Sequence, residues 1–275
     1  MKLLYLGTGA AECIPALFCT CDICTKARKL GGRSIRSRNQ ALLDGKILFD
    51  YPADSFMHAS RFPGFDLTSI RRLFITHSHM DHFYPDELHL RRPPFVASNP
   101  VETLHIYGNA AVGSRLENLQ ANQNVKTCNE FHCVKPFEPV EFDGYRITPL
   151  TALHARTEEC LIYAASHKDK TMLFGHDTGF FPGQVWDHFT AAKMFFNLVS
   201  LDCTFCADKD GANHMGLPDC IEVREKLFSI GAADSKTVFV ISHFSHNGRL
   251  NHDDLSVIAG KDGFITAYDG MEIEV

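Results

Sequence analysis

The stretch Leu73-Phe74-Ile75-Thr76-His77-Ser78-His79-Met80-Asp81-His82 sets three histidines and an aspartate within six residues, directly behind a short apolar run. Residues 73–75 read as a buried strand, and the loop at its end is where a rigid sheet displays a site. Imidazole and carboxylate suit zinc, iron or manganese, and one tight loop can turn several of them toward a common point. A polar loop that is rich in histidine by accident is the alternative, and four potential ligands in so short a segment argue against it.

The rest of the composition fits a metal-binding globular chain. Its 275 residues are 45% hydrophobic, enough for a large core, and residues 1–275 are expected to form a single domain. Fifteen histidines and ten cysteines beside one tryptophan lean the same way. The net charge of −6 gives no basic field for wrapping nucleic acid or an anionic membrane, so an anionic substrate has to be held locally. No stretch approaches the ~20 apolar residues of a membrane helix. Met1 to Glu12 is too brief in its apolar part for a secretory leader and reads as a first strand. A cytoplasmic protein with reduced cysteines is the expectation.

Leu3 to Leu6 reads as a strand entering Gly7-Thr8-Gly9, a turn whose glycines permit close approach of another group. Cys19-Thr20-Cys21-Asp22-Ile23-Cys24 is a CxCxxC cluster, which suggests a structural zinc site short of its fourth ligand; a reduced cysteine loop is the alternative. The basic run from Lys26 to Arg38 reads as a solvated face from which an arginine can reach an anion. Residues 41–43 and 46–49 flank Asp44-Gly45, a two-residue hairpin turn, and Asp50 closes the second strand. Further strands are expected near 105–108, 130–134, 145–150, 160–165, 171–175, 197–201 and 237–242. Helices are expected near 85–90, 110–120, 184–194, 218–230 and 253–259. His154, Asp177 and His243 each follow one of these strands, and polar residues at several strand ends can converge on one sheet edge. Cys203 and Cys206, Cys128 and Cys133, and Cys13, Cys160 and Cys220 read mostly as small buried residues. His89, His176 and His188 read as ordinary hydrogen-bonded or surface histidines.

THSHMDH, His154, Asp177 and His243, in this order over nearly the whole chain, resemble the metallo-β-lactamase superfamily of dinuclear metal hydrolases. The resemblance implies an α/β fold, the four-layer αββα sandwich, with two divalent metals (manganese, zinc or iron) at one edge of the paired sheets. It implies that His77, His79 and His154 hold the first metal, that Asp81, His82 and His243 hold the second, that Asp177 bridges them, and that Asp50 supports the metal loop. The segments LGTGAAE, CTCDICTKARKLGGRSIRSR and SHFSHNG are more narrowly similar to PhnP-type phosphodiesterases. That family implies a structural zinc held by Cys19, Cys21, Cys24 and His246, and a homodimer. It also implies a catalytic role for His214, with Asp81 counted beside it. The activity implied is hydrolysis of a small phosphodiester, such as a cyclic sugar phosphate, by metal-activated water with His214 as general acid. The alternatives are a thioester or lactam hydrolase, a tRNA-processing nuclease, against which the acidic balance argues, and a PqqB-like protein of cofactor biosynthesis.

Overall fold

Strand β1 (Lys2–Gly7) shows how the layers arise, because Leu3 and Tyr5 enter one apolar cluster while Leu4 and Leu6 enter another. The same alternation recurs in Ile47 and Phe49 against Leu48, as expected where both faces of a strand are covered. The computed structural model describes residues 1–97, 102–123 and 128–275. After β1 come β2 (Gln40–Leu43), β3 (Ile47–Phe49), β4 (Arg72–Phe74), β5 (Leu104–Gly108) and β6 (Asn129–Cys133). Then follow β7 (Val140–Phe142), β8 (Tyr145–Thr151), β9 (Leu161–His167), β10 (Lys170–Gly175), β11 (Leu198–Asp202), β12 (Val238–Ser242), β13 (Phe264–Thr266) and β14 (Met271–Glu274). They form two seven-stranded mixed sheets, ordered β14-β1-β2-β3-β4-β5-β6 and β13-β12-β11-β10-β9-β8-β7.

The sheets meet face to face through large rings. Phe49 stacks on Phe174 at 4.7 Å, Phe74 meets Tyr163 edge-on at 5.5 Å, and Tyr5 donates its hydroxyl to Ser200 at 2.8 Å. The helices are α1 (Asp22–Leu30), α2 (Ser55–Arg61), α3 (Ala110–Gln123), α4 (Gly183–Ala191), α5 (Leu217–Ser229) and α6 (His252–Lys261). Val112 and Leu116 of α3 pack with Leu73 and Ile106 on the far face of the first sheet. Val185 and Phe189 of α4 and Val223 and Leu227 of α5 pack with the core of the second. This is the αββα sandwich.

Four local expectations change. The cysteine cluster opens a helix, α1, with Cys21 as its N-cap residue. The Asp44-Gly45 turn has both residues left-handed, but the ladder pairs Leu43 with Ile47, one residue beyond a two-residue hairpin. The basic run is only partly solvated. Arg36 is buried, donates to Thr8 Oγ1 and the Ala267 carbonyl, and lies over the Phe244 ring, while Arg38 pairs with Asp54 at 2.8 Å. Among the leftover cysteines, Cys160, Cys203, Cys206 and Cys220 are buried, but Cys13 and Cys128 are partly open and Cys133 is exposed. The close approach at Gly7 is to the chain itself, since a Cβ there would stand 1.9 Å from the Arg38 carbonyl oxygen.

A second tight approach positions the site. A Cβ on Gly216 would stand 1.6 Å from the Asp208 carbonyl oxygen, and both partners are backbone, so neither can yield alone. Gly216→Ala is expected to lower stability by about 1–3 kcal/mol. It should also reduce activity by shifting the loop that carries His214. Thermal unfolding beside turnover checks both.

Candidate metal centre

In the first sheet β3 to β6 run parallel, and in the second β10 to β13 do. Their ends deliver the polar residues together. Asp50 follows β3, His77 to His82 follow β4, Asp177 follows β10, Asp202 ends β11 and His243 follows β12, with His154 from the antiparallel β8. Asp50, Asp177 and His243 all have left-handed backbones, at φ of 63°, 54° and 61°. Such non-glycine conformations are uncommon and cluster where surrounding bonds over-determine the chain at a site.

Two overlapping ligand groups result. His77, His79, His154 and Asp177 form one, Asp81, His82, Asp177 and His243 the other, with ligand atoms in each within 4.8 Å of one another. In the first, His77 Nε2 is 2.9 Å from His79 Nδ1 and 3.3 Å from Asp177 Oδ2, and His154 Nδ1 is 3.2 Å from Asp177 Oδ1. In the second, His82 Nε2 stands 3.1 Å from Asp177 Oδ2 and 3.3 Å from Asp81 Oδ2.

Outer partners orient these rings. Asp50, fully buried, accepts His82 Nδ1 at 2.7 Å and Asn39 Nδ2 at 3.1 Å, and its other oxygen accepts the Thr76 amide and hydroxyl at 2.9 Å. His82 is therefore held with Nε2 toward the centre. Asp202 does the same for His243, at 3.1 Å from Nδ1. Glu158 accepts the Ser78 amide and hydroxyl and fixes the loop between His77 and His79. A carboxylate behind a histidine is the usual way a metal ligand's tautomer and direction are set.

The residues fit divalent metal. His82 Nε2, His243 Nε2 and Asp177 Oδ1 are buried without hydrogen-bond partners, although they lie close together. Buried polar atoms seldom remain unsatisfied, and a dication among them satisfies all three. Electrostatics agree. Burial alone would raise the Asp177 and Asp81 carboxyls, but neighbouring histidines, His243 for Asp177 and His82 for Asp81, hold both well below the usual range. Burial and the neighbouring His82 push His77 well below the imidazole range, so it is a neutral donor.

His214 and Asp202 adjoin this centre. His214 Nδ1 is 3.0 Å from Asp177 Oδ1, 3.5 Å from Asp202 Oδ2 and 3.3 Å from Thr204 Oγ1. Burial would lower its pKa, but Asp177 and Asp202 outweigh that and push it up to about 10. Asp202 was not anticipated. It is fully buried and accepts the backbone amides of Asp177, Thr204 and Met215, besides facing His214 and His243. Its position at a strand end was the available signal. An open cavity of about 240 Å³ exposes the centre, lined among others by Glu12, His79, Asp81, Phe205, His214 and Asn247. Among the described residues no lysine or arginine lines it, and Arg38 of the basic run donates to the carbonyl of Ala11 in its wall.

Cys19, Cys21, Cys24 and His246 form a separate group with ligand atoms within 4.8 Å. Cys19 Sγ and Cys21 Sγ lie 3.5 and 3.4 Å from His246 Nδ1, and the Ala16 amide donates to Cys24 Sγ at 3.3 Å. The Cys24 backbone and His246 lower the Cys21 thiol to about 6, whereas burial raises Cys24 to about 11. A dication removes that conflict by stabilising all the thiolates together. His176 takes an ordinary structural place, bonded to Asn39 and Ser200 and, chiefly through burial, neutral with a pKa of about 3.

A family model described as a beta-lactamase superfamily domain matches residues 46–244, most of the chain and every active-site group above. The chain belongs to the metallo-β-lactamase superfamily. It is a hydrolase of the metallo-β-lactamase fold, and the family match stops short of Cys19, Cys21, Cys24 and His246. Comparison with curated proteins found no match. Among solved structures, this metallo-β-lactamase-fold chain is similar to a diphosphatase of the PhnP family, with 22% identity and a TM-score of 0.75 over 100% of this chain and 96% of that one. It is similar to zinc-bound PqqB from Methylobacterium extorquens, at 15% identity and TM-score 0.70 over 100% of both chains. Human tRNase Z, short form, follows at 17% identity and TM-score 0.69, over 100% and 99%. These likenesses concern the fold. No helix among the described residues is long and apolar enough to cross a membrane.

Proposed function

We propose that this hydrolase cleaves a small phosphodiester with two divalent ions. One is held by His77, His79 and His154, the other by Asp81, His82 and His243, and Asp177 touches both. A zinc ion on Cys19, Cys21, Cys24 and His246 is the structural counterpart. The observation that carries the reading is His214, whose Nδ1 is backed by Asp177 and Asp202 while the ring lines the same cavity as Asp81 and His79.

Bound there, divalent ions supply an activated water near neutral pH and neutralise charge on phosphoryl oxygens. The protein supplies the rest. Asp177, fixed by its left-handed backbone and by the hydrogen bond its N–H donates to Asp202 Oδ2, sets the spacing of the two ligand groups. Asp81 lines the cavity and would serve as a ligand of the second ion. His214, with Nδ1 engaged by carboxylate, offers its Nε2 proton to the departing alkoxide. With no lysine or arginine among the described residues of the cavity wall, the substrate's charge would be met by the ions, protonated His214 and Asn247. A cavity of this size suits a small ester, and a cyclic sugar phosphate is the first to try. A thioester's thiolate departs without a proton, so that reaction gives His214 no leaving group to serve. Among the described residues the cavity wall carries no lysine or arginine to grip a tRNA backbone.

Two leaving groups test the reading. His214→Ala, with its metals counted, is expected to lose about 10²- to 10⁴-fold in kcat on a diester that releases an alkoxide. It should lose far less on bis(p-nitrophenyl) phosphate, whose leaving group departs without a proton. Equal losses on both would remove the general-acid role. No turnover of diesters, with both ions bound, would move the assignment to thioester or lactam hydrolysis. A diphosphate substrate belongs in the same series, since one structurally similar protein is a diphosphatase.

A further inference from the structure

Away from the metal centre, at the edge of the first sheet, three more ligand-type side chains converge. β5 and β6 run parallel, with His105 opposite Glu130 and Tyr107 opposite His132. Residues opposite one another, and those two apart, share a face, so His105, Glu130 and His132 project together. His105 Nδ1 is 3.0 Å from His132 Nε2, and the Glu130 carboxylate oxygens stand 3.6 Å from each of these nitrogens. A tetrahedral zinc ion with bonds of ~2.0–2.1 Å spaces its ligand atoms about 3.4 Å apart. The three observed separations straddle that spacing.

The rings are held in place. His132 stacks on Tyr107 at 4.7 Å and 18°, His105 lies along His132 at 5.2 Å, and Tyr107 in turn stacks on Phe74 of the core. The side chains of His105, His132 and Glu130 are 27%, 33% and 57% exposed, so solvent can enter and fill a fourth position. A hydrogen-bonded imidazole pair accounts for the 3.0 Å contact alone, but it leaves Glu130 beyond bonding range of both nitrogens. A shared cation accounts for the meeting of all three.

We propose that His105, Glu130 and His132 form a further divalent-metal site that fastens the edge strand β6 to β5. Two imidazoles and one carboxylate select a zinc-class ion over magnesium or calcium, which take oxygen ligands. Arg72 faces His105 across β4 and β5, with its guanidinium over the Phe142 ring at 5.1 Å. Its charge further disfavours cations held by attraction alone. None of the three ligands lines the active-site cavity, so this site does not depend on the hydrolytic reading.

The test counts zinc on the full-length protein after equilibrium dialysis against Zn²⁺, comparing the native sequence with Glu130→Gln and His132→Ala. The native protein is expected to hold one more equivalent than either variant at limiting Zn²⁺, with affinity for that equivalent at least 10-fold weaker in Glu130→Gln. Zinc should also slow amide exchange in residues 129–133 of the native protein at least 10-fold and leave Glu130→Gln unaffected. Equal stoichiometry and equal exchange in native protein and Glu130→Gln would overturn the proposal and leave a hydrogen-bonded histidine pair. Glu130 is exposed, so that variant decides the matter even where His132→Ala fails to fold.

Discussion

Asp177→Ala is expected to emerge from purification with the active-site ions gone, the cysteine-site zinc retained, and turnover lowered well beyond the roughly 100-fold that follows removal of a ligand's outer partner. Asp177 is the one side chain common to both ligand groups. Its Oδ1 faces His154 and His214, and its Oδ2 faces His77 and His82. Truncation therefore removes the only carboxylate of the first group and one of the two in the second, so an ion there loses neutralising charge. Metal analysis and turnover on one preparation check this. Retention of two active-site ions by the variant would show that Asp177 is not their common ligand.

Asp202→Asn is expected to lose activity in a way that depends on pH. His214 must be protonated to serve a leaving group, so activity falls as pH rises through its pKa. Burial lowers that pKa, and Asp177 and Asp202 together raise it past neutrality to about 10. Once Asp177 shares its charge with bound ions, Asp202 is the carboxylate left to keep the proton on the ring. The asparagine variant keeps the shape but not the charge, and its alkaline limb should move down by about 1–2 pH units. Near pH 6 the deficit should be small, and on the alkaline limb it should grow to about 10- to 100-fold, the most that a shift of this size allows. A uniform loss at every pH, with the limb unmoved, would assign Asp202 a purely structural part.

The centre was legible where chemistry is dense in the sequence. His77 to His82 declare themselves by crowding, and His154, Asp177 and His243 by standing after apolar runs that can only be strands. Asp202 stands in the same kind of place, yet a single aspartate after Val199-Ser200-Leu201 also reads as a turn. Its importance lies in donors that come from positions 177, 204 and 215, and in the rings of 214 and 243, which only folding assembles. Arg36 misled for a related reason. A basic run suggests a wet surface, but this guanidinium finds Thr8, the Ala267 carbonyl and the Phe244 face, partners far away in the chain. Helix α1 was hidden because its N-cap is a cysteine, a residue read for its sulfur before its backbone. The paired sheets, by contrast, were implied by the family resemblance, while the separate strands were readable from local apolar runs.

His243 and His246 stand three residues apart on the segment that leaves β12, one facing the hydrolytic centre and the other the cysteines. Ser245 between them bonds to Glu12, which also lies near His246. With zinc on the cysteine group as proposed, the two sites share one short tether, so displacement at His246 can be passed to His243. Under that proposal, an oxidant that joins the thiols as a disulfide is expected to release the zinc and free His246, only Ser245 and Phe244 away from His243. Turnover is then expected to fall although no active-site residue has been touched, and reductant with fresh zinc is expected to restore it.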